Sequence, residues 1–413
     1  MNRVNELIKE YCPDGVEIRC LEDCCNLLDK KRKPITKAVR EAGEYPYYGA
    51  NGIQDYVANY IFDGTFVLVG EDGSVITKSG SPVVTWAEGK IWVNNHAHII
   101  EEKDGVILRY LYHYLQTIDV TSLIHGNIPK LTGGDFKALK IAVPPLEVQR
   151  EIVHILDSFT LLTAELTAEL TARKKQYNFY RDKLLSHDGI YPMKPLAELG
   201  KWSGGKTPSM SEKSFWEQGT IPWISSKDMK SSTLEDTQDH ITEKAVKEAS
   251  MTVYPANGIA VVTRSGILKH TFPVAYVPFE TTINQDIKML VVNEDILPRY
   301  AFHVIQGKGN DILIKTKKQG GTVDSLDFQK VLAYKVPVPS KDVQGKLVEV
   351  LDNFESICTD LNIGLPAEIE ARQKQYEYYR DLLLTFAETG STLMTDRQTD
   401  RQTDRQTDRA ERN

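Results

Sequence analysis

Residues 200–207 read Gly-Lys-Trp-Ser-Gly-Gly-Lys-Thr, the G-x-x-x-x-G-K-T spacing of a phosphate-cradling nucleotide loop. That chemistry needs a buried parallel strand before the loop and a helix opened by the threonine. Neither is evident, because Pro195–Leu199 is short and polar-edged and Pro208-Ser209 follows Thr207. The expectation is therefore a glycine-rich surface loop, not an ATP site, with Lys206 and Thr207 suited to a nucleic-acid phosphate backbone. His96 and His98, with His113 or His125, form no ligand set of regular spacing, so no metal is expected. Asp63, Glu71 and Lys78 only loosely resemble a nuclease cluster and read as turn residues. There is no Gly-x-Ser-x-Gly elbow, dinucleotide glycine fingerprint, His-Glu-x-x-His pair or Asn/Asp-Pro-Pro-Tyr/Phe methyltransferase loop. No catalytic residue is expected in this chain.

Groups suited to reading bases are easier to find. Tyr47, Tyr48 and Asn51 lie in one aromatic, amide-bearing loop, and Trp223, Ser225, Ser226, Lys227 and Asp228 in another. Amides suit adenine, Lys and Arg suit guanine, and Asp accepts from cytosine. Lys31, Arg32 and Lys33 belong to a basic run, and Arg264 joins the same DNA-facing set. The net charge of -7 taken alone argues against a nucleic-acid binder, so such contacts would be local.

At 413 residues the chain can hold two or three domains, each with its own core, to carry these residues. No run approaches 18 uninterrupted apolar residues and the N-terminus lacks a signal-type apolar core, so a cytoplasmic protein is expected. Four of the five cysteines crowd into the first 25 residues at spacings that fit neither a zinc pair nor a disulfide framework, and buried thiols are expected. A short helix is predicted before Pro13. Short β-branched runs follow: Thr65–Val69, then Val83–Trp86 before a turn at Glu88-Gly89, then Ile91–Val93. Ile107–Gln116 reads as a helix.

Beyond Pro144-Pro145, apolar residues recur at gaps of three and four from Ile152 to Leu184, predicting one helix over Glu147–Leu185. Its 39 residues would span roughly 58 Å. Its last stretch, Arg173–Leu185, returns as Arg372–Leu384 with nine of thirteen residues identical, at an offset of 199. Leu156-Asp157-Ser158-Phe159 returns as Leu351-Asp352-Asn353-Phe354, and Gln149 as Gln344, at an offset of 195. The second copy has gained four residues, about one helical turn. Gly364-Leu365-Pro366 interrupts it and predicts a kink or short break. Residues 395–409 repeat Thr-Asp-Arg-Gln and are expected to be disordered. A repeated ACAG tract would encode this tetrapeptide and make the product phase variable.

With the repeated segments, Pro144–Ile152, Val343–Phe354 and Ala367–Leu384 carry a resemblance to the specificity subunits of type I restriction-modification systems. The resemblance implies an α+β fold in which two mixed, mostly-β target recognition domains alternate with two long helices that pair as an antiparallel coiled coil. The first recognition domain would cover 1–145 and the first helix 146–187. The second domain would cover 188–340 and the second helix 341–387, kinked near 364–366, ahead of a disordered tail at 388–413. Glu17–Leu139 would read one half of a bipartite asymmetric DNA target and Pro192–Lys335 the other. The helices would set the spacer and dock two modification (methyltransferase) subunits. The interface candidates are Leu156, Phe159, Leu166, Tyr177, Tyr180, Leu351, Phe354, Leu361, Tyr376 and Tyr379. Methyl transfer from S-adenosylmethionine to adenine, and ATP- and Mg2+-dependent cleavage by restriction subunits, would belong to partners, with no cofactor in this chain. The alternative is a non-catalytic repeat-built adaptor that binds proteins through its globular parts.

Overall fold

A computed structural model describes residues 2–185, 190–318, 323–360 and 362–389. The chain divides into two compact units, Met1–Leu166 with Ile369–Asn413, and Thr167–Glu368. The tetrapeptide tail from residue 390, Leu361, Gly320-Gly321 and His187-Asp188-Gly189 lie outside the described residues. Five helices frame the units: α1 (Leu108–Leu115), α2 (Leu146–Leu184), α3 (Pro298–Gly307), α4 (Lys341–Thr359) and α5 (Leu365–Thr389). No helix among the described residues is long and apolar enough to cross a membrane.

Helix α2 is continuous for 39 residues, one position earlier than the sequence predicts. The interruption near Gly364 is a full break between α4 and α5. A Cβ on Gly364 would sit 2.6 Å from the Asp360 carbonyl oxygen and 2.7 Å from that of Ser356, so only glycine fits there. Asp360 Oδ1 accepts from the Asn362 and Ile363 N–H groups at 2.7 and 3.1 Å, ordering the connection. Pro366 then falls in the first turn of α5, where its missing donor costs nothing.

In the first unit a six-stranded sheet runs in the order Asn26–Leu27, Ala97–Glu101, Phe62–Gly70, Val84–Val93, Ala42–Gly49, Gly52–Val57. The turn expected at Glu88-Gly89 is absent: Val84–Val93 is one strand, and Gly64 lies opposite Gly89 inside its ladder with Phe62–Gly70. Gly89 has φ +78°, so the glycine absorbs a local distortion without reversing the chain. A core including Val67, Tyr110, Leu111 and Phe136 also takes in Ile152 and Leu156 of α2 and Tyr376 and Leu383 of α5.

In the second unit one sheet has the order Gly200–Gly204, Ile287–Val292, Gly258–Val262, Val274–Val277. A smaller one has Asp239–Ile241, Ile221–Ile224, Thr282–Ile283. Its main core includes Ile259, Phe302 and Val304, with Tyr177 of α2 and Leu351 of α4.

Each unit is closed by the same device. Glu17–Cys20 pairs antiparallel with Lys140–Val143, and Met193–Pro195 pairs antiparallel with Lys335–Pro337. The incoming and outgoing strands thus lie side by side next to the helix that follows. Cys12, Cys24, Cys25 and Cys358 are buried free thiols, and Cys20 is half-buried. Burial pushes the Cys24 thiol up to about 11 and that of Cys25 to about 12.

Candidate nucleic-acid interface

In the second unit, one turn gathers the loops that carry the sequence candidates. Thr282–Ile283 pairs parallel with Trp223-Ile224, and the turn Asn284-Gln285-Asp286 follows. The Lys206 N–H donates to the Ile283 carbonyl at 3.0 Å, and the Asn284 N–H to that of Ile224 at 2.9 Å. The N–H groups of Thr263 and Arg264 donate to the Asp286 carbonyl at 2.8 and 3.3 Å. Three strand-end loops therefore meet on one turn. A Cβ on Gly205 would sit 1.8 Å from the Ile283 carbonyl oxygen. The glycine of the G-x-x-x-x-G-K-T pattern thus serves close backbone approach, and Gly200–Gly204 is an antiparallel strand with no helix opening at Thr207.

Lys206, Thr207, Lys227 and Arg264 are exposed around this turn. Trp223, Ser225 and Asp228 are not, which corrects the expectation that their side chains face DNA. The Trp223 ring is buried against Trp216 and its indole N–H donates to the Lys206 carbonyl at 3.1 Å. Asp228 accepts from the Ser225 N–H at 2.8 Å and hydroxyl at 3.0 Å, and from the Gln238 N–H at 2.8 Å. These three residues shape the loop that presents Lys227.

The first unit repeats this arrangement. The Lys33 N–H donates to the Val93 carbonyl at 3.3 Å, the Asn94 N–H to that of Tyr48 at 3.1 Å, and the Glu71 N–H to that of His96 at 2.8 Å. Buried Asn94 accepts from the His96 N–H at 2.8 Å, as buried Asn284 accepts from the Asp286 N–H at 3.0 Å. Lys31 and Lys33 are exposed. Asn51 is also exposed, at a cleft of about 350 Å3 that Gln54, Asp72, Ser74 and His96 help to line.

Arg32, Tyr47 and Tyr48 depart from expectation. Arg32 bonds Glu71 at 2.6 Å and the Ala97 carbonyl at 2.6 Å, and pairs with Asp29 at 3.4 Å. Tyr47 is 1% exposed; its hydroxyl bonds the Ile35 backbone and Arg40 covers its ring at 4.1 Å. Tyr48 is a core residue. All three would have to leave these sites to reach DNA. Asp29, Glu71 and His98 are ligand-type residues grouped together, as are His303, Asp352 and Glu355. Arg32 already bridges the carboxylates of the first group, and Arg299 those of the second at 2.5 and 2.7 Å.

Each unit contains a second duplication, where its sheets meet the helices. His113 is fully buried; its Nε2 lies 2.9 Å from Asp157 Oδ1 and its Nδ1 2.9 Å from the Tyr376 hydroxyl. Arg109 Nε donates to the same Asp157 oxygen at 2.7 Å. In the second unit His303 stands 2.6 Å from Asp352 and 3.4 Å from the Tyr177 hydroxyl, with Arg299 Nε donating to Asp352 at 3.0 Å. The Tyr110 and Tyr300 hydroxyls each donate at 2.8 Å to a closing strand, at the Ala142 and Pro337 carbonyls. Buried Gln149 accepts from the Ile107 N–H at the start of α1, and buried Gln344 from the Leu297 N–H at the start of α3.

Burial acts to raise the Asp157 carboxyl, but hydrogen bonds from His113 and Arg109 outweigh it and hold the group below its ordinary value. Burial pushes His113 down, against the opposing Asp157. A neutral His113 then donates from Nε2 and accepts from Tyr376 at Nδ1. The sequence carried a signal for this network: Arg109-Tyr110-Leu111-Tyr112-His113 returns as Arg299-Tyr300-Ala301-Phe302-His303, at an offset of 190.

The remaining helix candidates are placed within single units. Phe159 stacks on Tyr379 at 5.1 Å, and Tyr180 on Phe354 at 5.9 Å. Leu156, Leu166, Tyr177, Leu351 and Tyr376 are buried. Tyr180 is exposed, as are the apolar side chains Leu161, Phe179, Val350, Ile357 and Tyr378 on these helices.

A profile of the type I restriction modification DNA specificity domain matches the chain twice, over residues 13–173 and 191–371. The Escherichia coli type I restriction enzyme EcoR124I/EcoR124II specificity subunit is 47% identical over 293 residues, covering 69% of this chain and 72% of that protein. A putative type I restriction enzyme specificity subunit of Haemophilus influenzae is 35% identical over 391 residues, covering 90% and 96%. In fold, the chain is similar to the S subunit of a type I restriction-modification system from M. genitalium, with TM-score 0.50, 16% identity and coverage of 91% and 96%. It is also similar to a chain solved in work on assembly and conformational transition of the type I R-M system, with TM-score 0.53, 13% identity and coverage of 92% and 98%.

Proposed function

Because the chain belongs to the type I restriction modification DNA specificity family, we propose that each unit reads one half of a bipartite asymmetric duplex target. The chain is a non-catalytic specificity subunit that acts in a complex with other subunits and with DNA. The adaptor alternative is set aside by the same matches. The observation that carries the two-half-site reading is the duplicated loop-gathering turn, with Lys33 above Val93 in one unit and Lys206 above Ile283 in the other. Two equivalent surfaces built from different side chains suit two different half-sequences.

In this reading α2, α4 and α5 form the antiparallel pair that sets the spacer, and they dock two methyltransferase subunits. Leu161 fits the docking role: it is exposed and lines an open groove of about 620 Å3 with Arg109, His154 and Asp157. Restriction subunits complete the assembly. S-adenosylmethionine, ATP and Mg2+ are bound by partners, and the complex works in the cytoplasm. Mapping DNA methylation in cells with and without this gene tests the reading. The expected result is loss of one bipartite adenine-methylated sequence on deletion, and an unchanged methylome overturns it.

A further inference from the structure

The two loop-gathering turns each project one residue from their tip. In the first unit it is Asn95 and in the second Gln285; both are exposed, and both follow the buried asparagine that holds the turn. Each tip has the same lysine neighbour. The Lys33 N–H bonds the residue two before Asn95, and the Lys206 N–H bonds the residue two before Gln285. Neither lysine ammonium has an ion-pair partner among the described residues. The amides stand 190 residues apart, the offset at which Arg109–His113 also recurs, whereas the lysines stand 173 apart and are brought to equivalent places by the fold.

The side chains differ in length but share one chemistry. A carboxamide offers one acceptor and one donor side by side, which matches the N6 donor and N7 acceptor of adenine in the major groove. The Asn95 amide has no hydrogen-bond partner among the described residues. Gln285 Oε1 accepts from the Thr207 hydroxyl at 2.5 Å, which fixes the amide and leaves its second lone pair open. Its Nε2 is 3.5 Å from Asp286 Oδ2, at the limit of a hydrogen bond.

Resting on the half-site reading above, we propose that Asn95 and Gln285 are equivalent base-reading residues, one per half-site, each contacting an A·T pair while Lys33 or Lys206 holds the adjoining phosphate. The two amides set specificity, and the two lysines add affinity for any sequence.

The test uses the complete chain assembled with its methyltransferase subunits, with methylation scored on a duplex library randomised across both half-sites. Asn95→Ala should relax discrimination at one base pair of one half-site by roughly tenfold or more, and Gln285→Ala at one base pair of the other. The near-isosteric Asn95→Asp and Gln285→Glu should turn the same positions toward cytosine, whose N4 donates to a carboxylate. Assembled variants that keep wild-type preference at every position overturn the inference, as does relaxation of both half-sites by one substitution. Should the alanine variants fail to assemble, the Asp and Glu variants decide, because they preserve shape. A wild-type complex that selects no bipartite sequence would instead refute the half-site reading itself.

Discussion

The Tyr376 hydroxyl donates to Nδ1 of His113 across 2.9 Å, joining residues 263 positions apart within one unit. The tyrosine belongs to the second copy of the repeated helical segment, the histidine to the fold formed by the first half of the chain. The reciprocal pair, Tyr177 with His303, joins the first copy to the second-half fold at 3.4 Å. Each copy of the repeat therefore completes a network whose other members come from the opposite half of the sequence.

Removing one hydroxyl tests the inequality of the two bonds. Tyr376→Phe leaves the buried His113 Nδ1 without its donor and should cost about 1–3 kcal/mol in denaturant unfolding of the first unit. Tyr177→Phe removes a longer bond and should cost the second unit less. Equal losses, read by hydrogen exchange at α1 and α3, would contradict the geometry.

Acid should act on the first unit in two windows. His113 titrates below its ordinary value when folded, because burial opposes its charge while Arg109 adds repulsion against the Asp157 attraction. Its contribution is complete above about 6.5, the unfolded value, and is lost as pH falls towards the lowered folded value. Asp157, also lowered, keeps its contribution above about 3.9 and loses it as pH falls further. His113→Gln should flatten the upper part of a melting-temperature profile and leave the lower part in place.

Arg32 and Lys33 are adjacent but should separate cleanly. Arg32→Ala leaves Glu71 and Asp29 without the guanidinium that bridges them and should lower stability by about 3 kcal/mol. Lys33→Ala should leave the melting temperature nearly unchanged. It should weaken DNA binding by the assembled complex and lower the slope of log K against log salt by about 0.9. Reversed phenotypes would restore Arg32 as a direct DNA contact.

Gln149 supports α1 from the side. Its Oε1 accepts from the Ile107 N–H at 2.9 Å, and its Nε2 donates to the Pro144 and Gly105 carbonyls at 2.7 and 3.1 Å. Gln149→Ala should destabilise by about 2 kcal/mol or more, with the first increase in amide exchange at the start of α1. Gln344→Ala should do the same to α3.

The long helix was legible because its apolar spacing and the Pro144-Pro145 boundary act locally, and Gly364 and Pro366 announced the break in the same way. Gln149, Asp157 and their counterparts were visible because one offset of 195 aligns them. The histidine networks were missed, since Arg109–His113 recurs at 190, out of step with the helices. Exposure was the least legible property. Tyr47, Trp223 and Arg32 have the character of recognition residues, yet the Ile35 carbonyl, the Trp216 ring, and the carboxylates of Asp29 and Glu71 draw them inward. Glu88-Gly89 resembled a turn because the opposing Gly64, which lets the strand continue, is not adjacent in sequence.

The closing strand pairs bear on how such a gene can change. In register, Glu17 faces Val143 and Met193 faces Pro337, so each intervening stretch begins and ends at one point in space. A recombination event with both crossovers inside these strand codons would replace an entire reading surface, whatever the length of the incoming piece. The buried Gln149 and Gln344 supports lie outside the exchanged segments and would be inherited intact. New target sequences can thus arise in single genetic steps, with no series of half-functional intermediates between them.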